Sequence, residues 1–319
     1  MSHEFQTMTF ADQVRAIPGG EHLEMCFSCG TCTSKCMIQQ KLEAEYNPRR
    51  LLRMVMMDMQ EEAFKSPTTW LCSKCDLCYP ACPQKIHISG VIGAVKQLAV
   101  AAGYTSPIPT VSVDESKCSG CAICVMACPY EAPRLVEKLV DGVSDRFAEV
   151  DQNKCMGCGI CVAACPLGAI SREGVANEDI FPQINIENKN NEPQLITFIC
   201  DWCLRETDDV SILESYSKNV RIVHIPCSGR IDPQFPLLAM RAGLDGVLVC
   251  GCKPGECHYQ RGTQVATCKM DLLGTLIEQM NVKNQYVKFS QIGTEERGRI
   301  RREIDGMLSA LDAHREALQ

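Results

Sequence analysis

The chain has 319 residues, 23 of them cysteine, with a formal net charge of −7 and 6% aromatic residues. This length predicts two or three domains, and the acidic balance excludes the basic surface that nucleic-acid binding requires. The most apolar run, residues 91–102, is too short for a membrane span and contains Lys96 and Gln97. Because the N-terminus also lacks the apolar region of a secretory signal, we expect a cytoplasmic protein whose cysteines bind metal in a reducing, anaerobic setting rather than forming disulfides.

Two cysteine motifs with the same spacing lie near the N-terminus. The pattern C-x2-C-x2-C-x3-C occurs at residues 26–36 and again at 72–82, and Pro83 follows the second motif whereas Met37 follows the first. In bacterial-type ferredoxins this spacing places three cysteines of a motif on one [4Fe–4S] cluster and the fourth on the other cluster. The crossed arrangement predicts two clusters, one on Cys26, Cys29, Cys32 and Cys82 and one on Cys36, Cys72, Cys75 and Cys78.

The segment between these motifs has a helical pattern. Asn47 is a good N-cap, Pro48 suits the first helical position, and apolar residues recur at helical spacing as far as Met59. A second helix is predicted at about 89–102. We therefore predict an α-helical ferredoxin domain at residues 1–105, in which the methionines between 54 and 59 pack in the core rather than bind a soft metal.

These residues also resemble a known family. The stretches CFSCGTCTSKC, NPRRLLRMVM and TTWLCSKCDLCYPACP, from about 20 to 105, look like the small iron–sulfur subunit of heterodisulfide reductase. The resemblance implies an electron-transfer role beside a substrate-reducing subunit.

The central segment, residues 106–172, carries two further motifs, each followed by proline. The same crossed spacing predicts one [4Fe–4S] cluster on Cys118, Cys121, Cys124 and Cys165 and one on Cys128, Cys155, Cys158 and Cys161. A structural zinc site is the alternative, but zinc takes four ligands and commonly uses two separated C-x2-C pairs. We predict a bacterial-type ferredoxin domain, and the stretch is similar to the ferredoxin part of the flavoprotein subunit of heterodisulfide reductase.

The C-terminal part differs in character. After a polar segment, residues 173–193, that we interpret as a linker, short apolar runs at 194–199, 220–225 and 246–249 alternate with helical patterns. This order predicts an α/β domain at 194–319 with a short parallel sheet. Cysteines follow each strand, and the carboxyl ends of parallel strands collect ligands. Thiols from distant positions should therefore converge there on a metal.

The segments FICDWC, PCSGRIDPQF and LAMRAGLDGVLVCGCKPGECHYQRG resemble the delta subunit of methyl-viologen-reducing hydrogenase, from about 196 to 290. The resemblance implies one [2Fe–2S] cluster, held by four of five cysteines: Cys200, Cys203, Cys227, Cys252 and Cys257. We interpret Cys250 and Cys268 as packing thiols. His258 is not expected to be a ligand, since a Rieske site needs two histidines. Arg230, Lys253 and Arg261 either offset the charge of this cluster or face a partner.

The motif inventory favours electron transfer over catalysis. The sequence contains no Gly-x-Gly-x-x-Gly fingerprint and no P-loop, so we expect four [4Fe–4S] clusters, one [2Fe–2S] cluster and no flavin or nucleotide on this chain. The fold class predicted is a multidomain α+β architecture that contains the three domains above.

The resemblances imply an electron relay. It would connect a hydrogenase or formate dehydrogenase, a flavoprotein like that of heterodisulfide reductase that bifurcates electrons, and a substrate-reducing subunit. The final acceptor stays open between a heterodisulfide, a folate-linked or acyl-CoA-type substrate and a quinone-linked partner. The alternative is an enzyme that reduces a disulfide or small molecule at the C-terminal cysteines, because five ligands are present where four suffice. A storage or purely structural role is disfavoured, since it would not need so many clusters in series.

Overall fold

A computed structural model of the chain describes residues 8–41, 45–140, 143–184, 194–203, 216, 219–280, 287–293, 296 and 298–318. The chain divides into two units, Met1–Ile108 and Pro109–Gln319. Within the described ranges, no helix has both the length and the apolar character that crossing a bilayer would require.

The first unit is built from helices. They are α1 (Phe10–Arg15), α2 (Thr31–Ser34), α3 (Met37–Lys41), α4 (Pro48–Met56), α5 (Gln60–Lys65), α6 (Pro67–Leu71), α7 (Cys78–Ala81) and α8 (Ile88–Ala101). The helix predicted after Asn47 is confirmed as α4, with Pro48 in its first turn and the Asn47 side chain as its cap. The second predicted helix is confirmed as α8, one residue earlier than expected.

The core of this unit lies between α1, α4, α5 and α8. Phe64 is central to it: its ring packs edge-on against Phe10, with ring centroids 5.5 Å apart, and against Tyr104 at 5.4 Å. The prediction that the methionines pack in the core is correct for Met54 and Met59. It is wrong for Met56 and Met57, at the end of helix α4 and at its C-cap, which are 40% and 64% exposed.

The second unit begins with a small ferredoxin-like region. Strand β1 (Ser112–Val113) pairs antiparallel with β4 (Ile170–Ser171), and β2 (Pro133–Val140) pairs antiparallel with β3 (Val143–Val150). Two short helices, α9 (Ile123–Ala127) and α10 (Ile160–Ala164), each begin inside a cysteine motif. The apolar side chains between these elements surround the cysteines rather than forming a separate core.

The rest of the second unit is an α/β arrangement. Its strands are β5 (Leu195–Cys200), β6 (Val220–Ile225), β7 (Gly246–Cys252) and β8 (Val287–Ile292), and its helices are α11 (Asn177–Ile184), α12 (Gln234–Arg241), α13 (Gly262–Gln279) and α14 (Arg299–Leu318). The strands are parallel in the order β6–β5–β7–β8. The short parallel sheet is thus confirmed, with an edge strand, β8, that the sequence analysis missed.

The interpretation of residues 173–193 as a linker is wrong for helix α11. Its Ile180 and Ile184 are buried in the same core as β5 and α12, and the Phe181 ring packs edge-on against Phe235 with centroids 5.9 Å apart. The polar neighbours and the proline within the helix, Pro182, hid its apolar face from pattern analysis. Residues 185–193 of the predicted linker lie outside the described residues.

The cap of helix α4 connects that helix to the first cysteine motif. Asn47 Oδ1 accepts hydrogen bonds from the Arg50 amide and from the Thr33 hydroxyl, both at 3.0 Å. For Asn47→Ala we expect a loss of about 1 kcal/mol of stability, because both donors lose their acceptor. Thermal unfolding, followed by circular dichroism under argon, should shift down by about 4–8 °C for a unit of this size. Asn47→Asp keeps the acceptor and serves as control; equal melting of the two variants would contradict this role.

Candidate metal centres

The first cysteine group surrounds one cavity. Its lining includes Cys26, Cys29, Cys32 and Cys82, together with Arg49. The Thr31 hydroxyl lies 3.3 Å from the Cys29 sulfur and lowers the pKa of that thiol. Ser28, also on the cavity wall, has a buried hydroxyl with no hydrogen-bond partner among the described residues. A cavity with four thiols and an unpaired donor fits a cluster with bridging sulfides.

The second group consists of Cys36, Cys72, Cys75 and Cys78. Removal from solvent raises the pKa of Cys72 to about 12, and the pKa of Cys78 rises further because Cys72, Cys75 and Cys36 also surround it. Buried Tyr46 lies beside this group: burial raises its pKa, and the nearby Cys72 and Cys36 raise it further. Tyr46 lies outside both motifs, so no cysteine spacing in the sequence indicates its place beside this group. Thiols that resist ionisation individually but lie together are suited to a metal centre, which binds them as thiolates and releases their protons.

The third group lies on the wall of a cavity in the ferredoxin-like region. This wall includes Cys118, Cys121, Cys124 and Cys165. The backbone amide of Ala148 donates to the Cys118 sulfur at 3.4 Å, and that of Ala169 donates to the Cys165 sulfur at 3.3 Å. Amide donors aimed at the sulfurs stabilise thiolate charge, as around iron–sulfur clusters.

The fourth group is the most deeply buried of those with cubane spacing. Burial raises the pKa of Cys158 to about 12. Burial also raises the pKa of Cys161, and the nearby thiols of Cys158, Cys155 and Cys128 raise it further. The amide of Gly157 donates to the Cys155 sulfur at 3.5 Å. The four cysteines that the crossed spacing groups together are therefore near neighbours here.

The fifth group lies at the carboxyl ends of β5, β6 and β7. The sulfurs of Cys200, Cys203 and Cys252 all lie within 4.8 Å of one another, and those of Cys203 and Cys252 are 3.9 Å apart. Cys227 and Cys257 form a pair beside them, with both sulfurs next to Gly262, and the Cys227 thiol lowers the pKa of Cys257 to about 6. The five cysteines thus divide into a group of three and a pair.

Four further side chains of the C-terminal region, which the sequence singled out, lie outside the group of three and the pair. Cys250 is buried in strand β7, where burial raises its pKa, as expected of a packing thiol. The same interpretation is wrong for Cys268, which is exposed on helix α13. The buried His258 ring stacks on Trp202, with ring centroids 3.3 Å apart. Lys253 forms an ion pair with Glu296 at 3.0 Å.

The fourth and fifth groups are neighbours within the second unit. Helix α10, which follows Cys158, packs against the 3-10 turn Ser228–Arg230, which follows Cys227. A Cβ atom placed on Gly229 would lie 2.9 Å from Ile160 Cγ1. Cys257 and burial raise the pKa of Cys227 most, and nearby Cys158 adds to the shift. No spacing in the sequence indicates this approach, since the two thiols belong to different predicted domains.

Family models match along most of the chain. The model of the methyl-viologen-reducing hydrogenase delta subunit matches residues 195–313. Models of a 4Fe-4S dicluster domain match residues 22–86, 71–132 and 111–172.

Three curated relatives illustrate these matches. The iron-sulfur subunit of the F420-non-reducing hydrogenase of Archaeoglobus profundus is 36% identical over 107 residues, which cover 33% of this chain and 78% of that protein. The A component of the ferredoxin:CoB-CoM heterodisulfide reductase of Methanosarcina mazei is 37% identical over 204 residues, 63% of this chain and 25% of that protein. The C component of the H(2):CoB-CoM heterodisulfide,ferredoxin reductase of Methanothermobacter marburgensis is 34% identical over 98 residues, 31% of this chain and 51% of that protein. The chain thus spans only a quarter of its Methanosarcina mazei relative.

Helix α13 offers a matched pair of glycines for testing the fifth group. A Cβ atom at Gly262 would clash with the Cys227 sulfur and lie 3.1 Å from that of Cys257, whereas a Cβ at Gly274 would meet nothing within 4 Å. We expect Gly262→Ala to lose the metal of this group, because the added methyl displaces both sulfurs. Gly274→Ala should retain it and gain up to about 1 kcal/mol of helix stability. Metal analysis and visible spectra of both variants test this; equal metal content would contradict it.

Proposed function

The chain belongs to the family of the methyl-viologen-reducing hydrogenase delta subunit, and on this premise we propose that it is an electron-transfer iron–sulfur subunit of a heterodisulfide reductase-like complex. It relays electrons between a hydrogenase or formate dehydrogenase, a flavoprotein resembling that of heterodisulfide reductase, and a substrate-reducing subunit. The flavin of that second partner is the branch point where electrons are bifurcated, in an anaerobic cytoplasm.

The proposal includes five metal centres in three domains, at residues 1–105, 106–172 and 194–319. The four [4Fe–4S] ligand sets are Cys26, Cys29, Cys32 and Cys82; Cys36, Cys72, Cys75 and Cys78; Cys118, Cys121, Cys124 and Cys165; and Cys128, Cys155, Cys158 and Cys161. A [2Fe–2S] cluster takes Cys200, Cys203 and Cys252 with one of Cys227 and Cys257. The three-sulfur group and the adjacent pair support this last division.

One observation carries the relay proposal: the fourth and fifth cysteine groups lie side by side. The packing of helix α10 on the turn after Cys227 supports a short path between them. Half-buried Tyr130 lies near both groups: removal from solvent raises its pKa, and Cys158 and Cys227 raise it further. A protein that only stored metal would gain nothing from such an approach. A relay needs it, because electrons pass between centres only over short distances.

The bound clusters supply one-electron chemistry, with potentials from about −700 to +450 mV according to their surroundings. The chain itself fixes the distances and adjusts the electrostatics. The amides of Ala148, Gly157 and Ala169 donate to cysteine sulfurs. Each donor favours the more negative, reduced form of the centre it faces.

The relatives support one orientation of the relay. The C-terminal domain matches a hydrogenase subunit, so we assign it to the hydrogenase or formate dehydrogenase side. The first domain matches the C component of a heterodisulfide reductase, so it faces the substrate-reducing subunit. The similarity to the A component runs over 204 residues, a longer stretch than the central ferredoxin domain alone, and we assign to that domain the connection between the two ends.

A second candidate function is reduction of a disulfide by the C-terminal cysteines. The observation that favours it is the Cys227–Cys257 pair, because a thiol with a pKa of about 6 is largely a thiolate, the reactive form, at neutral pH. Against it, Cys227 is completely buried and Cys257 nearly so. Attack on a disulfide needs an accessible sulfur, so the relay is the better supported function.

Metal content tests the relay directly. The chain purified without oxygen should contain about 18 iron atoms, from four four-iron centres and one two-iron centre. Stepwise reduction followed by EPR should show distinct [4Fe–4S] and [2Fe–2S] signals. About sixteen iron atoms without a [2Fe–2S] signal would remove the fifth centre and favour thiol chemistry at the C-terminal site.

Turnover separates the two functions. The chain reduced by dithionite should pass electrons to a one-electron dye but should not reduce added disulfides, because the buried pair is inaccessible. Absorbance of the dye and thiol release from the disulfide measure the two reactions side by side. Disulfide reduction that disappears in Cys257→Ser and persists in Cys268→Ser, which alters an exposed thiol outside the site, would reverse this conclusion.

A further inference from the structure

Arg230 is the largest side chain that is completely buried in the described part of the chain. It follows Cys227 by three residues, so its position in the sequence assigns it to the fifth cysteine group. Its side chain instead lies on the loop of the fourth group. A Cβ atom at Gly159 would lie 2.8 Å from Arg230 Cδ and 3.3 Å from its Cγ. Gly159 lies directly after Cys158, with a φ of 78° that favours glycine.

Two nitrogens of the Arg230 guanidinium donate hydrogen bonds, and the third has no partner among the described residues. Nε donates to the Val175 carbonyl and Nη2 to Asn177 Oδ1, both at 2.7 Å, and the group lies 5.0 Å from the centre of the Phe235 ring. Nη1 is buried with no hydrogen-bond partner among the described residues. Leaving a buried cation partly unpaired is costly unless negative charge lies nearby.

The ionisable groups around Arg230 include Cys161 of the fourth cysteine group, whose sulfur becomes negative when it binds metal as a thiolate. Burial lowers the pKa of Arg230 to about 10, so it stays protonated at neutral pH; the groups that oppose this shift are Asp232, then Cys161, Glu178 and Asp179. The acidic side chains take up no electrons. Cys161 differs, because the charge at its site would change with every electron that the site takes up.

We propose that Arg230 is a charge-compensating residue for the fourth centre, raising its reduction potential although it is carried by the turn of the fifth. The inference rests on the proposed [4Fe–4S] centre at Cys128, Cys155, Cys158 and Cys161. Reduction adds one electron, supplied by the neighbouring centre of the relay, and makes the site more negative. A buried positive charge against its loop stabilises that reduced form. Arg230 is thus a positioning and tuning residue, not a ligand.

Lys269 provides a matched comparison from the other side of the same turn. Its Nζ donates to the carbonyls of Gly229 and Ile231, at 3.1 and 2.9 Å, so it supports the same backbone. Burial lowers the pKa of Lys269 to about 8, so at pH 7 it carries the same charge as Arg230. Its partners lie on the turn rather than on the Gly159 loop. Asn177 supplies a second control, since Asn177→Ala removes a hydrogen bond of Arg230 and keeps its charge.

The test is an EPR-monitored redox titration of the full chain in four variants: Arg230→Met, Arg230→Lys, Asn177→Ala and Lys269→Met. The EPR signal that changes in Cys161→Ser is assigned to the fourth centre. For Arg230→Met, the reduced-to-oxidised ratio of that centre at a fixed potential should fall on the order of tenfold, as for loss of one nearby charge. In Arg230→Lys and Asn177→Ala the ratio for the fourth centre should stay near that of the parent chain. Lys269→Met should change this ratio less than Arg230→Met does.

The outcomes separate this inference from the function on which it rests. If Arg230→Met keeps its iron and the potential of the fourth centre does not change, the tuning role alone is overturned. An equal change of this potential in Lys269→Met, or a larger change at the fifth centre in Arg230→Met, also overturns it. If Arg230→Met loses iron, Arg230→Lys provides the test. A tenfold change in the reduced-to-oxidised ratio of the fourth centre in this variant, which keeps the charge, would show that hydrogen bonding rather than charge matters. Absence of any [4Fe–4S] component assigned to Cys161 in the parent chain would instead overturn the proposed centre.

Discussion

The structure depends on one electrostatic constraint: thiols are gathered in groups where they cannot all ionise unaided. Around Cys78 and Cys161 each neighbouring thiol raises the pKa of the next, in addition to the effect of burial. A metal centre relieves this repulsion by binding the sulfurs as thiolates. Folding and metal binding are therefore linked in this chain, and its small apolar cores, such as that around Phe64, complete a framework that the metal organises.

The two units meet this constraint with different secondary structure. In the first, helices carry the cysteine loops, and a cap such as Asn47 fixes a loop to the helix that follows it. In the second, strands bring Cys200, Cys227 and Cys252 to one edge of a parallel sheet from positions far apart in sequence. In the first unit, three of the four cysteines of each group come from one short motif. In the second, the C-terminal group exists only once the sheet has formed.

This difference explains what could be predicted from the sequence. Spacing within a motif is local, so the groups formed by Cys118 or Cys155 could be predicted from the sequence alone, although ligation itself stays a prediction. Parallel strands ending in cysteine predicted the fifth group. The contacts of Tyr46 and Arg230 could not be found, because a side chain that contacts a distant loop leaves no periodic pattern. Helix α11 was missed since Pro182 and polar neighbours conceal its buried face.

The turn Ser228–Arg230 shows why such contacts matter for a relay. Cys227, just before it, directs its sulfur to the fifth group, while Arg230 lays its side chain on the fourth. Three residues therefore set both the separation of two proposed centres and the charge between them. The connection between the domains could vary in length without changing this separation or this charge. The contact of Gly229 with Ile160 fixes how closely the two cysteine groups approach each other. Electron transfer between domains then depends on a packed turn, which thermal motion disturbs far less than it disturbs a flexible connection.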